Sequence, residues 1–155
     1  MNSALKFILS FFAIGNLPKM PGTFGSLAAI PFFFLLNNDT IKQNLGTFFV
    51  YFFIICIAFS FIIDYYQRKN NVIDPSWIVI DEVLGMIFAW SFIQSTHWFD
   101  ILGIFIFFRI FDIFKIWPST YFNKEVKHGA GVIFDDLFAA LYAGFFFNLL
   151  KNIFF

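Results

Sequence analysis

The chain has 155 residues, 60% of them apolar, 25% aromatic and 13% charged, with ten basic and ten acidic side chains and no net charge. Soluble domains carry about a quarter charged residues, so the polar cover is too thin for an ordinary water-soluble fold, and this much hydrophobicity excludes disorder. The neutral balance leaves no electrostatic footprint for nucleic acid, and the single cysteine, Cys56, excludes an internal disulfide framework.

Residues 3–14 are apolar and aromatic, with Lys6 near the start. They resemble a signal-peptide core, but no small-x-small cleavage site follows, so the segment is expected to be retained. Residues 24–36 form a short apolar run carrying Pro31, which predicts a kinked or partly inserted helix. A polar stretch at 37–44 precedes residues 45–63, 19 residues without a charge, about the length that crosses a hydrocarbon core. Residues 64–75 read as a polar loop. Asp81 and Glu82 open a short apolar helix over 83–93. Residues 99–117 are long enough to span but contain Asp100, Arg109, Asp112 and Lys115. Residues 118–131, bounded by Pro118 and Gly129 to Gly131, read as a loop, and the last helix covers 132–150 with Asp135 and Asp136 near its start. No period-2 strand pattern competes. The expected fold is all-α: one domain over 1–155, a compact multi-helix integral membrane bundle of about six helices, some short or re-entrant.

Charge inside an apolar helix costs roughly 2.5–3.5 kcal/mol per residue. Arg109, Asp112 and Lys115 recur at i, i+3 and i+6 and share an arc of about 120° on one helix face. A cation, an anion and a cation suit a phosphate beside a metal-binding carboxylate; a self-compensating ladder is the plainer alternative. The pairs Asp81-Glu82 and Asp135-Asp136 lie near helix starts, where the dipole favours carboxylates. Carboxylates from several helix ends can converge on Mg²⁺, and capping in the headgroup region is the alternative for each pair. The run Pro21-Gly22-Thr23 with Gly25-Ser26 places hydroxyls and free N–H groups at a helix start, an anion site or a simple capped turn. His128 sits in the loop before Asp135, a candidate substrate contact or an uninvolved loop histidine.

Threading the segments alternately across a bilayer puts Asp81, Glu82, Arg109, Asp112, Lys115, Asp135 and Asp136 on one side. Lys19, Arg68, Lys69, Lys124 and Lys127 fall there too, against Lys6, Lys42 and Lys151 opposite; the loop around Asp39 is also opposite. The positive-inside bias makes the crowded side cytoplasmic. Cysteine-phosphatase chemistry is disfavoured because Cys56 lies mid-span without a CxxxxxR loop. There is no GxxxxGK[ST] nucleotide loop, and His97 and His128 make no zinc pattern.

The stretches PGTFGSLAAIPF (21–32), IVIDEVLGM (78–86), FRIFDIFKIWP (108–118) and HGAGVIFDDLFAAL (128–141) stand in order and at matching spacing. In these motifs the chain resembles the phosphatidylglycerophosphatase A family, bacterial membrane lipid phosphatases. The resemblance implies an all-helical protein of the bacterial inner membrane with its active site on the cytoplasmic side. It also implies Mg²⁺-dependent removal of the terminal phosphate of phosphatidylglycerophosphate, giving phosphatidylglycerol, the precursor of cardiolipin. The family's charged motif positions fall on Asp81, Glu82, Arg109, Asp112, Lys115, Asp135 and Asp136. On this reading Asp81, Glu82, Asp112, Asp135 and Asp136 are catalytic, and Asp81, Glu82, Asp135 and Asp136 hold the metal. Arg109, Lys115, Thr23, Ser26 and His128 bind phosphate. Ile116, Ala130 and Ala140 depart from the family's usual proline and glycines. Two other readings use the same charges: a small membrane transporter, with charge spread through the membrane depth, and a non-catalytic lipid-binding subunit.

Overall fold

A computed structural model describes residues 3–37, 43–126 and 128–154; Asp39, Lys42 and Lys127, used above in the threading, lie outside the described residues. The protein is all-helical, with no strand among the described residues.

Helix α1 (Ser3–Leu9) stops early, because Phe11, Phe12 and Ala13 turn into left-handed backbone at φ 44°, 57° and 70°. The expected helix over 24–36 is two pieces, α2 (Pro21–Ala28) and α3 (Ile30–Leu36). Pro31 has no N–H to continue the ladder, so the helix breaks just before it. Helix α4 (Leu45–Asn70) runs well past the expected end at residue 63. Part of the anticipated polar loop is therefore helix, supported by an Arg68–Asp64 pair at 2.9 Å and closed by Asn71 at φ 51°. Polar residues there prolong the helix beyond its apolar stretch. Helices α5 (Ile80–Ser91) and α6 (Trp98–Phe114) follow. The expected loop over 118–131 contains a further short helix, α7 (Ser119–Glu125).

The last helix, α8 (Gly129–Phe154), corrects the sequence reading in a way that matters for function. In the sequence the glycines there punctuate a boundary, but the helix begins at Gly129. A Cβ on Gly129 would lie 1.9 Å from the Ser60 carbonyl, so glycine lets α8 start hard against α4. Asp135 and Asp136 consequently sit about two turns inside α8, past the reach of its N-terminal dipole. Capping does not account for them.

Helices α4 and α8 are each roughly 39 Å long at 1.5 Å per residue, and both are long and apolar enough to cross a membrane. The other helices are shorter, at 17 residues or fewer. Helix α5 is the buried centre: ten of its 12 residues are buried, and it packs on α2, α3, α6 and α8. Ala139, Ala140 and Ala143 are fully or almost fully buried on α8, so small side chains let the neighbouring backbones approach closely. Trp90 of α5 stacks on Phe33 of α3 at 5.7 Å and donates its indole N–H to the Ser95 carbonyl at 2.9 Å. Outside, Val50, Ile54, Ile57 and Phe61 of α4 form an exposed apolar stripe at helical spacing. Buried nearly all round, α5 carries its only charges, Asp81 and Glu82, in its first turn.

Candidate active site

At the end of the bundle where α5 and α8 present their acids, a cavity of about 400 Å³ opens. Five pieces of chain line it: the start of α2, the segment before α5, the first turn of α5, the end of α6 and the second turn of α8. Seven charged residues from the sequence motifs line this one cavity: Asp81, Glu82, Arg109, Asp112, Lys115, Asp135 and Asp136, together with Thr23.

Asp81 and Glu82 occupy the first turn of α5. Gly85, one turn later, lets α8 close in, since a Cβ there would meet Asp136 Cβ at 3.0 Å and the Phe108 ring at 2.8 Å. That approach sets Asp136 opposite the α5 pair. One carboxylate oxygen from each of Asp81, Glu82 and Asp136 falls within 4.8 Å of the others. Asp81 Oδ1, Glu82 Oε2 and Asp136 Oδ2 are buried and accept no hydrogen bond from the protein. Three clustered carboxylates, each with a buried oxygen that lacks a donor, are costly to bury. The donor set is all hard oxygen, which fits a divalent cation such as Mg²⁺ and does not fit a soft metal.

Arg109 stands beside this group. Its Nη1 lies 2.5 Å from Asp112 Oδ2 and donates to Ser26 Oγ at 3.3 Å, while Ser26 Oγ donates to the Gly22 carbonyl at 2.9 Å. Asp112 and Ser26 thus fix the guanidinium, and its buried Nε–H is left without a protein partner. Ser26 reaches the site through Arg109 and does not itself line the cavity.

Lys115 departs from the helical face predicted for it. It caps α6 in left-handed backbone at φ 44°, which turns the chain away from the Arg109 face. Its ammonium pairs with Asp135 of α8, and Asp135 also accepts from the buried Ser119 hydroxyl of α7. Asp135 therefore lies outside the three-oxygen group, held by a cation and a hydroxyl. His128 is not among the lining residues; its Nδ1 faces Asp64 Oδ1 of α4 at 3.4 Å, because Gly129 seats the start of α8 against α4.

Two contributors had no clear sequence signal. Ser119 lies in a helix too short for periodicity to reveal. Asp74 lies before Pro75 in what read as a polar loop, yet it lines the cavity. Desolvation pushes the Asp74 carboxyl above its ordinary range; Lys115 pulls it down, and Asp135 and Asp112 add to the rise. Lys19, counted above only as a loop cation, lines the cavity too.

The arrangement gathers the cations Arg109 and Lys115 beside buried carboxylates in one cavity, the kinds of group that phosphate-ester hydrolysis uses. Comparison with known proteins agrees. A family model described as Phosphatidylglycerophosphatase A matches residues 7–151. "Phosphatidylglycerophosphatase A" of Escherichia coli (strain K12) is 34% identical over 135 residues, covering 84% of this chain and 73% of that protein. Its namesake from Haemophilus influenzae is 34% identical over 137 residues, covering 85% and 79%. A Bacteroides thetaiotaomicron protein named provisionally as a phosphatidylinositol-3-phosphatase is 31% identical over 143 residues, covering 85% and 84%. No solved structure matches the chain. With the acidic cavity built from the matched motifs and the match running almost end to end, the chain belongs to the phosphatidylglycerophosphatase A family and is a phosphatase.

Proposed function

We propose that the protein is a Mg²⁺-dependent lipid phosphatase that hydrolyses the terminal phosphomonoester of phosphatidylglycerophosphate to phosphatidylglycerol and phosphate. On this reading it is a multi-pass protein of the bacterial inner membrane with its cavity on the cytoplasmic side. The observation that carries the reading is the cluster of three carboxylates, each with a buried oxygen that has no hydrogen-bond partner, set beside an arginine whose Nε–H is unpartnered.

Asp81, Glu82 and Asp136 would hold the cation, which when bound supplies charge neutralisation at the phosphoryl oxygens and a more acidic water. Arg109, braced by Asp112 and Ser26, grips the phosphate through its free donor. Lys115 adds positive charge at the cavity wall, and its pairing with Asp135 keeps that carboxylate oriented. A cavity carboxylate accepts the proton of the attacking water as the phosphorus–oxygen bond to glycerol breaks, and the leaving alkoxide takes a proton to become the product hydroxyl. The gathering of these groups at one end of the bundle matches a headgroup substrate better than a transport path through the membrane depth.

The test is phosphate release by purified protein from phosphatidylglycerophosphate and from phosphatidic acid, with and without Mg²⁺. Release from the first, lost in EDTA and restored by Mg²⁺, is the expected result. Full turnover in EDTA overturns the metal assignment, and no turnover under any condition leaves a non-catalytic lipid-binding role.

A further inference from the structure

The phosphate cavity accounts for the headgroup but not for the hydrophobic part of such a substrate. The helices beside Arg109 show where that part goes. Helix α2 leaves the cavity and α6 arrives at it, so the two run antiparallel, joined at the Arg109–Ser26 hydrogen bond. Taking 100° per residue, Ile113, Ile106 and Ile110 stand about 40°, 60° and 100° from Arg109 around α6. On α2, Thr23 and Leu27 stand about 60° and 100° from Ser26. In antiparallel neighbours these equal rotations open to the same side. The opposite flank of α2 is closed, because Gly25 lies against Val79 with 2.8 Å for an added Cβ. By these angles Arg109 and Ser26 form the floor of a groove between the two helices, with mostly apolar side chains on its walls.

The walls are uncovered: Leu27 is 41% exposed, Ile106 45%, Ile110 40% and Ile113 62%. Thr23 and Ile113, which these angles put on its two sides, also line the cavity, so the groove starts at the cavity's rim. From Ile113 to Ile106 it descends about 10 Å along α6, away from the charged end and along the apolar part of the bundle.

We propose that this groove receives an acyl chain of the lipid whose phosphate lies in the cavity, so that substrate enters sideways from the bilayer between α2 and α6. The inference rests on the lipid-phosphatase reading above and specifies how that substrate is seated. The occupant is a chain covalently continuous with the bound phosphate, because the groove has the cavity's own rim as its upper end.

The experiment fills the groove. Ile110→Trp and Leu27→Trp are compared with Ile57→Trp, which places the same bulk on the exposed stripe of α4. Activity is measured on dioleoyl and dihexanoyl phosphatidylglycerophosphate. The groove variants are expected to raise KM for the dioleoyl lipid about tenfold, equivalent to about 1.4 kcal/mol, with kcat within about twofold of wild type. The dihexanoyl lipid and the Ile57→Trp protein should change less than twofold. Equal effects at Ile57 and Ile110, or equal effects on both lipids, overturn the groove. A second measurement does not depend on the variants folding: a lipid substrate with a mid-chain diazirine is photolysed on wild-type protein. Labelling of α2 and α6 that excess unlabelled substrate removes supports the groove, and competed labelling confined to other helices overturns it. Wild-type protein that releases no phosphate from either lipid would instead sink the lipid-phosphatase reading itself.

Discussion

Replacing Gly22 by alanine separates the fold from the site. A Cβ at residue 22 would lie 2.3 Å from Glu82 Oε1 and 3.1 Å from Glu82 Cδ. An ordinary carbon–oxygen approach is roughly 3.3 Å, so the carboxylate must withdraw by about 1 Å. Glu82 is a flexible side chain and can do so without moving the backbone, and alanine is the better helix former by up to about 1 kcal/mol. The thermal midpoint should therefore hold or rise. The site is less forgiving, because the oxygens of Asp81, Glu82 and Asp136 stand within 4.8 Å of one another and Mg²⁺ demands near-ideal octahedral geometry. A misplacement of about 1 Å costs on the order of 100-fold in rate, or about 2.7 kcal/mol at 1.36 kcal/mol per tenfold. The assay is phosphate release across a Mg²⁺ titration, with thermal unfolding followed in the same detergent. Gly131→Ala is the contrast, since its Cβ would meet the Val126 carbonyl at 1.7 Å, a backbone atom that cannot step aside. That variant should lose its thermal midpoint. Wild-type rate and Mg²⁺ dependence in Gly22→Ala would refute the placing of Glu82, as would unfolding comparable to Gly131→Ala.

Three further outcomes follow from the same geometry. Asp136→Asn should reduce turnover more than 1000-fold, yet raise the thermal midpoint in EDTA by relieving the crowding of three buried carboxylates; a lower midpoint in EDTA would count against that crowding. Ser119→Ala removes the hydroxyl that holds Asp135, and should lower kcat roughly 10- to 100-fold, as loss of a supporting contact does, with KM little changed; an effect on KM alone would contradict a positioning role. Asp74 has a raised pKa, so its carboxyl stabilises the fold fully only below its ordinary value of 3.8 and that contribution is lost as pH rises through the shifted value. In metal-free buffer Asp74→Asn should therefore be more stable than wild type at neutral pH, the difference closing towards pH 4; a gap that widens on acidification would reverse the sign.

The sequence reading and the structure agree unevenly, and the pattern has physical causes. An uninterrupted apolar run shows where a helix must start, because the hydrocarbon layer tolerates no unpaired backbone. It does not show where the helix ends once it reaches polar surroundings, which is why α4 continues past Asp64 to Asn70. Glycine is ambiguous in the same way: at Gly129 it marks close packing on α4, where the sequence suggested a loop. Shifting that one helix start moved Asp135 and Asp136 from a helix end to two turns inside it. A dipole explanation for their charge was thereby replaced by a tertiary one, Asp136 facing Asp81 and Glu82 while Asp135 pairs with Lys115 and Ser119.

What the sequence determined by itself was the apolar character, the helical class and the roster of charged residues, since each depends on residue type and spacing along one chain. Charge is scarce in this apolar chain, and the four motifs named the members that gather in one cavity. How those members divide their work was decided by tertiary structure alone. Asp81 and Glu82 join Asp136 across the α5–α8 contact that Gly85 permits, while the adjacent Asp135 turns to Lys115 and Ser119. Neighbouring carboxylates in sequence point about 100° apart on a helix, so only the packing of a second and third helix can say which partner each one meets.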